Sequence, residues 1–206
     1  MGESGNPRER FAQHMDDVRE YGRIAGVAEI ARRYFAMNAF DGVLTTIGVL
    51  MGNYLGDVRN PGTVIRIGIA TSIAMGVSGL WGAYLTEAAE RERELAELER
   101  LSLTDLGQTK IGRASRMAVV IVALVDGLAP AMAALIVLIP LFAVSLIGNI
   151  LLSYALSLAL ALIALFGLGM FLGHISGRGL IGYGLRTLVA GLVSIALSFA
   201  LEGVGP

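Results

Sequence analysis

The chain has no cysteine, which removes disulfides, thiolate metal ligation and a cysteine nucleophile together. Its two histidines, His14 and His174, stand far apart, so the His/Cys ligand set of a zinc site is missing. Charge of one sign is also missing: 16 Lys and Arg face 17 Asp and Glu, leaving nothing to attract a polyanion such as nucleic acid. The N-terminal stretch is polar, unlike a cleavable signal peptide. What is present is apolar. Of the 206 residues, 55% are hydrophobic, and a mean hydropathy of +0.69 with long uninterrupted runs marks an integral membrane protein.

Residues 8–33 read as an amphipathic helix ahead of the membrane. Phe11, Met15 and Val18, then Ile24, Val27 and Ile30, line one face, and Arg8, Arg10, Asp16, Arg19, Arg23, Arg32 and Arg33 line the other. A soluble helix packed on a neighbour gives the same pattern. The first span is expected over about 34–55, followed by a polar link with an Asn-Pro-Gly turn at 60–62. The second, about 64–85, is rich in small residues and runs on without a breaker into an acidic segment, 86–103, carrying six glutamates. After a Gly-containing linker at 105–113, three more spans are expected over about 115–142, 150–172 and 180–201. Each holds the roughly 20 apolar residues that a bilayer core requires. The expected fold is therefore all-α: five transmembrane helices, an N-terminal amphipathic helix and a short acidic helix extending the second span. The domains follow as 1–33, 34–86, 87–114 and 115–206.

Five spans put the two ends on opposite sides. Fourteen of the Lys and Arg residues fall in the N-terminal segment, the acidic segment with its linker, and the link between the last two spans; only Arg59 and Arg66 lie on the other side. The excess of positive charge predicts a cytoplasmic N-terminus and acidic helix, and a C-terminus outside.

The first span carries an acid, Asp41, with Gly42, Thr45 and Thr46 beside it. Holding an ionised carboxylate in hydrocarbon costs roughly 3 kcal/mol on insertion scales, so such a residue is a functional candidate. The third span repeats the dipeptide as Asp126-Gly127. With both spans entering from the same side, each acid lies about two to three turns along its helix. Two carboxylates at similar depth suit a common path for a cation or a shared proton. Alternatively, each is structural, hydrogen-bonded to a neighbouring polar group. The following glycines allow close helix approach, or local unwinding that exposes carbonyls.

Met51 and Met75 offer thioethers to soft or borderline metals, or simply pack. Gly48, Gly52 and Gly56 recur every four residues, as do Gly169, Gly173 and Gly177, the spacing that lets helices touch within a subunit or across a dimer. Glu87, Glu90, Glu94 and Glu97 share a helix face, either as a cation-binding surface or as a stalk partly neutralised by Arg91, Arg93 and Arg100.

In order, these segments resemble the vacuolar iron transporter (VIT) family of divalent-metal/proton exchangers, from about residue 33 onward. Phe40-Asp41-Gly42-Val43-Leu44-Thr45 is similar to the family's first-helix Asp-Gly-Leu-Thr signature. The sequence SGLWGAYLT, 78–86, resembles its second-helix Ser-Met-Gly-Leu-Gly-Gly-Tyr-Leu-Ala, and EREREL, 90–95, its acidic helix. AALIVLIP, 133–140, resembles the third helix, and 186–191 the start of the last. The resemblance implies a homodimeric antiporter with no permanently bound cofactor, moving Fe²⁺ or Mn²⁺ against protons between the paired first helices. Asp41 is then the principal metal ligand and proton acceptor, and Glu87, Glu90, Glu94 and Glu97 recruit cations at the cytoplasmic mouth. The chain also departs from the family. Gly79 stands at the position of a path-lining Met, and Thr71 at that of a Glu, with Met75 and Asp126 as the available replacements. The three-helix cytoplasmic domain is reduced to one acidic helix. The expected location is the cell membrane of a prokaryote, with the bilayer and divalent metal ions as partners. A scaffold or metal sensor that keeps the fold and has lost the path is the alternative. An intramembrane aspartyl enzyme has only the paired acids in its favour, so no enzymatic activity is expected.

Overall fold

The computed structural model describes residues 26–202. Among these residues every regular element is a helix: α1 Val27–Leu55, α2 Pro61–Ser102, α3 Lys110–Val137, α4 Ile139–Phe142, α5 Val144–Ile147, α6 Ile150–Ile175 and α7 Leu180–Glu202. Five of them, α1, α2, α3, α6 and α7, are long and apolar enough to cross a bilayer. Their surfaces agree. Ile73 is 61%, Val77 63% and Ile163 67% exposed, side chains that water would penalise and lipid would not. Among the described residues the fold is all-helical, and its five apolar helices fit an integral membrane protein.

Among the described residues the helices divide into two compact units, 35–79 with 126–202, and 26–34 with 80–125. The core of the former is apolar and tightly closed. Val43, Ile47 and Leu50 recur along one face of α1, and Tyr154, Ala161 and Leu165 along one face of α6; Met51, Val64, Val137, Leu138 and Leu141 complete the cluster. Tyr154 brings a polar end into this core, and its hydroxyl donates to the Val58 carbonyl at 2.9 Å. Its ring meets Tyr54 edge-on, with centroids 5.7 Å apart. The α6–α7 pair packs through glycine. A Cβ at Gly169 would lie 2.2 Å from Thr187 Oγ1 and 2.5 Å from the Tyr183 carbonyl, and Thr187 Oγ1 donates across the pair to Leu165 O at 2.7 Å.

The helix ends follow local chemistry. α1 closes with Asp57 in the left-handed region, φ 54°, while Val58 N donates back to Asn53 O at 3.0 Å, a pattern that satisfies the last carbonyls. Asn149 caps α6, its side chain accepting from Leu151 N at 2.9 Å and Leu152 N at 3.4 Å. In the 103–109 turn, Asp105 accepts from Gly107 N at 2.8 Å, and Glu99 accepts from Leu106 N at 2.8 Å.

Two boundaries differ from the sequence reading. The amphipathic helix expected over 8–33 lies outside the described residues as far as residue 25. Its remainder is continuous with the first span, because nothing between Val27 and Phe40 interrupts a helix. The third span ends at Val137 and not at 142. Pro140 removes a backbone donor and crowds the carbonyl four residues earlier, so the chain restarts in two single-turn helices, α4 and α5. By contrast α2 runs unbroken for 42 residues, roughly 63 Å at 1.5 Å per residue and twice a hydrocarbon core of about 30 Å.

Candidate functional site

A recess of about 370 Å³ opens in the unit formed by 35–79 and 126–202. Asn38 and Asp41 line it from α1, Ala74, Met75, Ser78 and Gly79 from α2, and Pro130 from α3. On each helix the residues are three or four apart, so one face of α1 and one of α2 present them together.

Backbone contacts hold the walls in place. A Cβ on Gly42 would lie 2.4 Å from Pro130 O and 2.6 Å from Pro130 Cα, so α1 and α3 touch main chain to main chain beside Asp41. A Cβ on Gly79 would lie 2.7 Å from the Asp126 carbonyl oxygen and 3.2 Å from Gly127 Cα, which brings α2 onto α3 in the same way. The carbonyl met by Gly79 is a special one. Pro130 lies inside α3 and has no N–H, so Asp126 O lacks its ordinary helical donor four residues on. Neither Asp-Gly step unwinds; both lie in continuous helix. The released carbonyl comes from the proline.

The two intramembrane acids are placed differently. Asp41 is exposed and lines the recess together with Met75. Asp126 is buried, 9% exposed, and is not part of that lining. Its Oδ1 accepts from Asn38 Nδ2, and Asn38 in turn lines the recess. Asp126 is thus tied to a residue of the recess lining through the Asn38 amide. Two further polar groups of α1 bond to their own helix, Thr46 Oγ1 donating to Gly42 O at 2.7 Å and Asn53 Nδ2 to Val49 O at 2.7 Å. Met51 is fully buried in the core and Thr71 Oγ1 donates to Ile67 O at 2.9 Å. Neither lines the recess.

Gly79 is accounted for by packing: any side chain there would run into the main chain of α3 at Asp126. Met75, one turn earlier, lines the recess. Asn38 and Ser78 were not singled out from the sequence. The signal was spacing, since Asn38 precedes Asp41 by three residues and Ser78 follows Met75 by three.

On the acidic part of α2, Arg91 Nε donates to Glu87 Oε1 at 2.9 Å and Arg91 Nη1 to Glu94 Oε2 at 3.3 Å. Glu90 and Glu97 are exposed. Among the described residues no three Asp, Glu or His side chains gather as they would around a metal ion. Gly48 and Gly52 have open space where a Cβ would stand, so they make no close packing among the described residues. The nearest atom to a Cβ on Gly56 is its own helix's Gly52 O, at 3.1 Å.

Among known proteins, the chain is similar to an uncharacterized protein of Methanocaldococcus jannaschii, 29% identical over 178 residues, which are 84% of this chain and 90% of that protein. No family model matches the sequence. No solved structure matches it.

Proposed function

We propose that the protein is a membrane transporter of divalent transition-metal cations, Fe²⁺ or Mn²⁺, exchanged for protons, as the resemblance to the VIT family implies. The observation that carries this reading is the pairing of an intramembrane carboxylate, Asp41, with a thioether, Met75, in one recess. A carboxylate exposed on an apolar helix is costly unless it meets a cation, a proton or a polar partner. A thioether adds preference for a borderline metal over Mg²⁺ or Ca²⁺. Exchange against protons follows if metal binding at Asp41 displaces a proton.

A homodimer fits the same surface. Gly48 and Gly52 lie seven and eleven residues after Asp41, on the same face of α1, with no near neighbours. A second copy packed against that face would cover the acid and form the path between paired α1 helices. The glutamates of α2, with Glu90 and Glu97 facing solvent, recruit cations at the mouth. The positive-charge asymmetry supports a cytoplasmic N-terminus and an outside C-terminus in the cell membrane of a prokaryote.

Proteoliposomes test the reading. Wild-type protein should take up Fe²⁺ or Mn²⁺ with opposite proton movement, and Asp41→Asn should abolish both fluxes. Equal metal flux by wild type and Asp41→Asn would refute it.

A further inference from the structure

We infer that Asn38 is itself a ligand of the transported cation, through its amide oxygen, and that Asp126 acts on the cation through Asn38 without touching it. The inference rests on the transport reading above and deepens it by naming a further binding residue and a positioning residue.

Asn38 and Asp41 lie one turn apart on α1 and both line the recess. Asp41 is the sole ionisable side chain in that lining. A divalent cation facing one carboxylate retains a full unit of positive charge in a low-dielectric slab, where uncompensated charge is expensive. The second negative charge is nearby: Asp126 is buried, and Asn38 Nδ2 donates to its Oδ1. That bond fixes the plane of the amide. It also draws electron density toward the amide oxygen, as a carboxylate behind a metal-bound imidazole raises the basicity of that ligand. An amide oxygen has two lone pairs, so another hydrogen bond does not prevent coordination. The cation then meets Asp41 carboxylate oxygen, Asn38 amide oxygen and Met75 sulfur. The charge of Asp126 reaches it through one polarised group.

The competing explanation is that Asn38 and Asp126 merely tie α1 to α3. The two accounts separate in metal preference. An oxygen donor favours Mn²⁺, whereas the thioether favours the softer Cd²⁺. Binding of each ion to purified full-length protein in lipid nanodiscs can be measured by titration calorimetry. Asn38→Ala should weaken Mn²⁺ binding about tenfold or more while changing Cd²⁺ binding much less, and Met75→Leu should show the reverse preference. Asp126→Asn should weaken Mn²⁺ binding about 10- to 100-fold, the usual effect of losing an outer-shell partner. The double variant Asn38→Ala/Asp126→Asn should bind no more weakly than Asn38→Ala, because both changes interrupt one route.

Mn²⁺ affinity within about twofold of wild type in Asn38→Ala would overturn the inference. So would equal losses for Mn²⁺ and Cd²⁺, or multiplicative losses in the double variant. If Asn38→Ala does not fold, the near-isosteric Asp126→Asn decides alone: a selective loss of Mn²⁺ supports the inference, and an equal loss of both ions overturns it. Mn²⁺ binding that needs Asp41 but not Asn38 would sink the inference and leave the transport reading standing. Absence of Mn²⁺ binding in the wild type, together with undiminished metal flux in Asp41→Asn, would sink both.

Discussion

Gly42→Ala is the sharpest test of how the recess is built. The added Cβ would lie 2.4 Å from Pro130 O, 2.6 Å from Pro130 Cα and 2.8 Å from Pro130 C, all main-chain atoms with no rotamer to move aside. Restoring ordinary contact near 3.4 Å requires α1 and α3 to part by about 1 Å, which forfeits much of the dispersion energy of the neighbouring contacts. Overpacking of this kind costs about 2 kcal/mol. The better helix propensity of alanine returns about 1 kcal/mol. Gly167→Ala on α6 is the control, since nothing lies within 4 Å of a Cβ there. It should keep the propensity gain of about 1 kcal/mol without any cost. The two variants should therefore differ by about 2 kcal/mol, or roughly 4–8 °C in melting temperature for a chain of this size. Thermal melting of each purified variant in one detergent, followed by intrinsic fluorescence, measures the difference. Gly42→Ala should melt below wild type and Gly167→Ala at or above it. If Gly42→Ala melts as high as Gly167→Ala, the main-chain contact between α1 and α3 is not what the structure describes.

Two further substitutions test the frame around the recess by the same melting assay. Tyr154→Phe removes the hydroxyl that donates to Val58 O at 2.9 Å from a residue only 1% exposed, and should cost about 1 kcal/mol while leaving metal flux in proteoliposomes unchanged. Asn149→Ala removes the cap of α6 and should also cost about 1 kcal/mol, with Asn149→Ser recovering most of it; no loss in the alanine variant would show that the cap carries no weight.

Much of the fold was legible because a bilayer imposes a length and a polarity on any helix that crosses it. The apolar runs located five spans, and the lack of a breaker after residue 85 located the long α2. Where the sequence reading stopped short, the deciding term was local. Pro140 broke the third span, and the Leu-rich neighbourhood concealed it because hydropathy is indifferent to a missing N–H. Pro130, by contrast, stays inside α3, so a proline by itself did not announce which behaviour would follow. The site was legible in part. Asp41 stood out by its cost in hydrocarbon, and Met75 by its chemistry. The different placement of Asp126 depended on a partner 88 residues away, Asn38. No periodicity within either helix encodes that pairing. Gly79 read as a loss at a functional position, and its reason appears only when the main chain of α3 is beside it.

The two glycine contacts also set the terms on which such a site can change over time or in the laboratory. Positions 42 and 79 are closed to any side chain, because each abuts the main chain of α3. Pro130 forms the opposing surface at Gly42 and determines which carbonyl is released. Diversity in ion preference must therefore be written at positions 38, 75 and 78, where side chains line the recess without serving as those main-chain contacts. A library for retuning the ion carried by the proposed transporter would hold 42, 79 and 130 constant and randomise those three, with Asp41 kept as the proposed cation ligand.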